Sequence, residues 1–196
     1  MLKRAQVLGV LLLCATVAGC DDTPAPEQDV LEGAVQLPED LCALVPGSYA
    51  SRWSLTEARH TTDNGRDTST AQCTMKGERA GGAVSLSATA TMYGDTEGAD
   101  AEERTDDAFE SACQALTDAP QGEVESDDFM CSDTTSGDEE ATRGYVVDIS
   151  QLAGGSGVLR VEMIHHGEAW LSVAPDVVGI AGSILSAVGI GDRQAH

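Results

Sequence analysis

Aromatic residues are scarce in this chain, with two Phe, two Trp and three Tyr among 196 residues. Most of those rings are needed to fill a core, which leaves little for the stacking surface a carbohydrate-binding protein exposes. Basic residues are also few, 11 Lys and Arg against 33 Asp and Glu, for a formal net charge of -22. A surface of that sign repels phosphate, so nucleic acid binding and adhesion to anionic lipid are both disfavoured, and the acids read as a solvated coat. No apolar run reaches the roughly 20 residues a helix needs to cross a bilayer.

Catalytic motifs are missing as well. The sequence has no zinc-protease helix motif and no phosphate-cradling loop. Ser156 lies in a glycine-rich stretch, but Val158 breaks the spacing of a nucleophile elbow. No two cysteines stand two to four residues apart, as zinc sites require. The sequence therefore assigns no catalytic residue, no metal ligand set and no cofactor.

What is present begins at the N-terminus. Lys3 and Arg4 precede an uncharged run from Val7 to Val17, followed by the small residues Ala18 and Gly19 and then Cys20. These are the parts of a secretory signal peptide over residues 1–19. Val17-Ala18-Gly19-Cys20 resembles the bacterial lipobox, which implies a diacylglycerol on Cys20 and cleavage in front of it. Two acyl chains, at roughly 0.8 kcal/mol per buried methylene, suffice for stable attachment. The mature chain is expected on the cell membrane, lipid-anchored and facing outside the cytoplasm. Residues 20–38, with Pro24, Pro26 and Pro38 among acids, read as a flexible tether, and residues 39–196 as a single domain. Loss of Lys3 and Arg4 with the leader would take the formal charge from -22 to -24.

Cys14 leaves with the leader and Cys20 carries lipid. Cys42, Cys73, Cys113 and Cys131 remain, an even number in an oxidising compartment, and imply two disulfides. Three connectivities are open. Cys42–Cys73 with Cys113–Cys131 is favoured, because each pair joins a helix to a nearby strand.

Periodicity places the elements. Pro38 to Trp53 reads as a short broken helix carrying Cys42, interrupted at Pro46-Gly47. Thr61 to Thr70 is turn-forming throughout and reads as a loop. In Ala83 to Tyr93, Val84, Leu86, Ala88, Ala90 and Met92 alternate with Ser85, Ser87, Thr89 and Thr91, the pattern of an antiparallel strand with one covered face. Asp100 caps a helix to about Leu116, with Thr105, Ala108, Phe109, Ala112, Cys113 and Leu116 on its apolar side. Glu123 to Ser132 reads as a strand carrying Cys131, Thr142–Gln151 and Gly157–His166 as a hairpin, and Ala169–Val173 as one further strand. Asp176 is expected to cap a last helix to about Gly189. That helix shows one small, uncharged side, Gly179, Gly182, Ser183 and Ser186, against which an intramolecular neighbour is expected. The sum is an α+β domain, an antiparallel sheet with helices packed on one face.

The lipobox, the acidic tether, "PEDLCALVP" around Cys42 and "AQCTM" around Cys73 together resemble a group of actinomycete lipoproteins of unknown function. In that group the early cysteine pairs with one just before a first core strand. Met75 stands where those proteins commonly carry tryptophan. More distantly, two bridges on an α+β fold are similar to the extracytoplasmic sensor domains of mycobacterial serine/threonine kinases. The resemblance implies a fold and an address, and no reaction.

Two local clusters carry potential metal ligands. His165-His166 cannot readily share one ion, since neighbours in a strand point to opposite faces, so one satisfied and one exposed histidine is expected. Asp127-Asp128 and the acids of residues 133–140 do not reproduce a calcium loop. The function expected is thus a non-catalytic binding or sensing module with a protein partner or a small apolar ligand. An envelope structural protein is the alternative, and then an envelope enzyme using Glu162, His165 and His166.

Overall fold

The computed structural model describes residues 37–117, 123–136, 140–149, 155–166 and 173–188. The leader, Cys20, nearly all of the tether and most of the expected strand at Ala169–Val173 lie outside the described residues. Val173 itself is buried just ahead of the last helix.

Seven antiparallel strands form one sheet: β1 (Glu57–Asn64), β2 (Thr68–Arg79), β3 (Gly82–Tyr93), β4 (Glu123–Ser126), β5 (Met130–Ser136), β6 (Glu140–Asp148) and β7 (Gly157–His166). Their spatial order is β1-β2-β3-β7-β6-β5-β4. Around it stand a 3-10 turn (Leu41–Leu44) and helices α1 (Gly47–Arg52), α2 (Ala101–Thr117) and α3 (Ala174–Val188). Cys42–Cys73 ties the 3-10 turn to β2, and Cys113–Cys131 ties α2 to β5. The α+β class, the antiparallel sheet and both bridges are as the sequence implies.

Both ends of the expected loop Thr61–Thr70 are in fact paired strand. Thr61–Asn64 belongs to β1 and Thr68–Thr70 to β2, so only Gly65-Arg66-Asp67 turn. β1 is exposed along its whole length and has no apolar face to alternate, so its backbone pairing with β2 leaves no trace in side-chain pattern. Likewise Glu123–Ser132 is two strands. Asp127 Oδ1 accepts from the backbone N–H groups of Phe129 and Met130, folding the chain back between β4 and β5. The β2–β3 turn is sharper still, since Ala80 and Gly81 both take positive φ between the paired residues Arg79 and Gly82, as a type I′ turn demands.

The helices, expected together on one face, divide between two. Alternation along β3 and β7 sends Leu86, Ala88, Leu159, Val161 and Met163 to one side, where they pack with the 3-10 turn, α1 and α3. Val146, Val158 and Cys131 point the other way and pack under α2 with Leu116 and Phe109. A hydroxyl-rich sheet face is wet over β1–β3 and covered farther on by α2.

Local chemistry fixes both long helices. Asp100 Oδ1 accepts from Glu103 N–H as the cap of α2, with Glu102 and Glu103 in its positive first turn. Arg104 then reaches from α2 to the carbonyls of Asp67 and Gly94 and lies over the Tyr93 ring. Helix α3 begins earlier than expected, at Ala174, so Asp176 sits inside its first turn and its carboxylate is used elsewhere. On the small side of α3, Tyr49 of α1 fills the space above Gly179, where a Cβ would collide with the phenol oxygen. That neighbour is intramolecular.

Burial pushes the phenols of Tyr93 and Tyr145 above the ordinary 10.0. Arg104 pulls Tyr93 the other way; Asp127 adds to the rise at Tyr145 and Arg143 opposes it. A raised folded value means the folded state holds its proton longer than the unfolded chain. The contribution is therefore complete below about pH 10 and is lost as pH rises through the folded values. Alkaline titration at tyrosinate absorbance should show two late-ionising tyrosines and a stability that declines only in that window. Both rings titrating together with free tyrosine would contradict it.

Candidate functional site

The wet face of β1–β3 carries a groove of about 700 Å³ at one end of the sheet. Pairing puts Glu57, Lys76 and Ser85 side by side in one row across β1, β2 and β3. Glu78 and His166 flank that row, with Ser54 and Thr56 at the rim. Gly77 lets the rim approach, because a Cβ there would collide with the backbone carbonyl of Ser54, itself held at φ 52. Two carboxylates, an ammonium, an imidazole and hydroxyls on an open strand surface can exchange hydrogen bonds and ion pairs with a polar partner. They do not enclose a small molecule.

Directly behind the groove, on the opposite face, lies a buried polar cluster. Trp53 Nε1–H donates to Asp176 Oδ2 at 2.6 Å, and Arg52 Nη1 donates to Asp176 Oδ1 at 2.6 Å. Asp176 is 4% exposed. The Arg79 guanidinium stacks 4.9 Å from the Trp53 ring, and the His165 ring stands 5.7 Å from it. His165 is wholly buried with Nε2 3.0 Å from the Arg79 carbonyl, while its Nδ1 has no hydrogen-bond partner among the described residues. The cluster clamps α1, β2, β7 and α3 together at one corner.

Glu162, His165 and His166 do not converge. His165 is buried on the core face, whereas His166 and Glu162 lie on the other, as period two requires. Glu162 and His166 stand four residues apart along β7, about 13 Å at strand rise. Glu162 is instead 3.8 Å from Arg160. The condition for an enzyme built on these three groups, convergence in one cleft, is not met. Two of the acids expected not to form a calcium loop have structural partners: Asp127 holds the β4–β5 turn, and the buried Asp133 accepts from Gly144 N–H at 3.0 Å. Residues 137–139 lie outside the described residues. Among those described, no three His, Cys, Asp or Glu side chains gather as a metal site.

No protein family, curated protein or solved structure compared with the chain matches it. The groove and the cluster behind it are what the chain itself offers. Sequence reasoning missed the Trp53–Asp176 contact because its partners are 123 residues apart and neither carries a motif. It missed the groove because no strand was expected over Glu57–His60 and Thr61–Asn64 reads as loop. The lone signal was Glu57, Lys76 and Ser85, which become neighbours only once register is known.

Proposed function

We propose that the chain is a membrane-anchored extracytoplasmic lipoprotein, held by diacylglycerol on Cys20, whose domain is a non-catalytic binding or sensing module. One observation carries the reading: basic residues, an uncharged run, small residues and a cysteine follow one another in order from Lys3 to Cys20. The two disulfides support it, since such bridges persist in oxidising compartments. The groove favours a polar partner over a small apolar ligand. An acidic surface disfavours nucleic acid in that role. The likeness to actinomycete lipoproteins of unknown function belongs to the same reading.

Expression of the full chain in a bacterium, followed by mass spectrometry of its mature N-terminus, tests it. The expected product begins at Cys20, carries diacylglycerol and partitions with membranes. Cys20→Ser is expected to lose the lipid mass and move to the aqueous fraction. A mature N-terminus elsewhere, or a Cys20→Ser chain that stays membrane-bound, would sink the proposal.

A further inference from the structure

β1 is an edge strand eight residues long, exposed at every position, and among the described residues no backbone group pairs with its outer edge, although on its core-side face Thr62 Oγ1 donates to the Glu39 carbonyl and His60 lies 3.5 Å from Asp40. Its hydrogen-bonding phase follows from the turn. Gly65 N–H donates to the Thr68 carbonyl, so Gly65 and Thr68 form a hydrogen-bonded pair. Stepping back by twos, Asp63, Thr61, Arg59 and Glu57 direct their backbone groups toward β2. Ala58, His60, Thr62 and Asn64 therefore aim theirs outward, unpaired along the edge.

Three side chains of this edge, Glu57, Arg59 and Asp63, are charged, a common guard against unwanted pairing. Here the charges are also arranged to complement themselves. Arg59 and Asp63 share the wet face but stand four residues apart, about 13 Å at strand rise, too far to pair with each other. Neither forms an ion pair within the described residues. If a second β1 is laid antiparallel with Thr61 opposite Thr61, each Arg59 meets the Asp63 of the other copy. The outward groups of Ala58 and His60 then meet those of Asn64 and Thr62. Both charge pairs fall at positions without hydrogen bonds between the opposed residues, where side chains approach most closely. Shifting the second strand by two residues one way puts Glu57 against Asp63. Two further residues put Arg59 against Arg59. Like charges directly opposite are destabilising, and among registers that overlap five or more residues of β1 the one centred on Thr61 alone sets opposite charges against each other.

We propose that the outer edge of β1 is a self-association surface, where a second copy adds its own β1 antiparallel about Thr61 and Arg59 and Asp63 pair reciprocally. The association is weak and reversible, because the edge is short and both copies are strongly acidic overall. At physiological salt the Debye length is about 8 Å, which screens the distant acids more than charges placed in contact.

The test is sedimentation of the full chain against concentration at physiological salt, with three variants. The wild type is expected to dimerise reversibly. Arg59→Asp alone and Asp63→Arg alone each set like charges opposite one another in a homodimer and should weaken it about tenfold or more. An equimolar mixture of the two variants restores both attractive pairs and should dimerise as the wild type does, as should the double variant. Both positions changed are exposed surface, and unchanged circular dichroism would show that folding is intact. A wild type that stays monomeric, a dimer indifferent to the single changes, or a mixture that fails to recover the association overturns the proposal. Protection of the Ala58, His60, Thr62 and Asn64 amides that does not vary with concentration would overturn it too, since the edge would then be covered within one chain.

Discussion

Replacing Cys42 and Cys73 together with alanine is expected to cost the domain about 4 kcal/mol, and replacing Cys113 and Cys131 together about 3 kcal/mol. The figures follow from the separations of 31 and 18 residues that the bridges close, through the entropy each removes from the unfolded chain. Small domains have about 5–15 kcal/mol of net stability, so either loss is a large fraction and both together would leave little folded protein. Cys73 and Cys131 are almost wholly buried, so truncation also removes core contacts. Urea unfolding of the oxidised wild type and the two double variants measures both effects as shifts in midpoint. A loss below about 1 kcal/mol for either pair would mean that the bridge constrains little that the core does not already hold.

Asp176→Ala is expected to cost about 3 kcal/mol, mostly because it strands a buried indole N–H. Trp53 is buried and its Nε1 has that one carboxylate as acceptor. The ion pair to Arg52 is the smaller part, since the Arg52 side chain is 52% exposed and solvent screens it. Asp176 also lies in the first turn of α3, where a negative charge complements the helix dipole. The ordering follows: Asp176→Ala costs most, Asp176→Asn less because its amide oxygen can still accept from the indole, and Arg52→Ala least. Chemical unfolding, followed by Trp53 emission in a Trp170→Phe background, resolves the three. If Arg52→Ala costs as much as Asp176→Ala, the buried bond does not dominate.

Sequence pattern made half of this molecule legible. β3 could be read because its apolar residues face the core while Ser and Thr face water. α2 was bounded by a true cap at Asp100, and the opposite fates of His165 and His166 followed from period two alone. β1 left no such imprint, because an edge strand without a buried side is held by backbone bonds that any residue can make. The placement of α2 on the second face was hidden for a related reason. Val146 and Val158 occupy positions that look like ordinary interruptions of the alternation until the sheet is seen to be covered there on both sides. Asp176 carried the signature of a cap and turned out to serve a tryptophan far upstream, a contact that only tertiary structure creates.

The Cys42–Cys73 bridge also determines how the domain meets tension. A pull applied from the N-terminal side reaches Cys42 soon after Leu37 and passes through the sulfurs directly into Cys73, in the middle of β2. Everything between the two cysteines, including α1 and all of β1, is closed off in a covalent loop and carries none of the load. An edge strand ordinarily unzips first when a sheet is peeled from its end. Here the force bypasses it and enters a strand paired on both sides, so the bridge shelters an edge strand of the sheet.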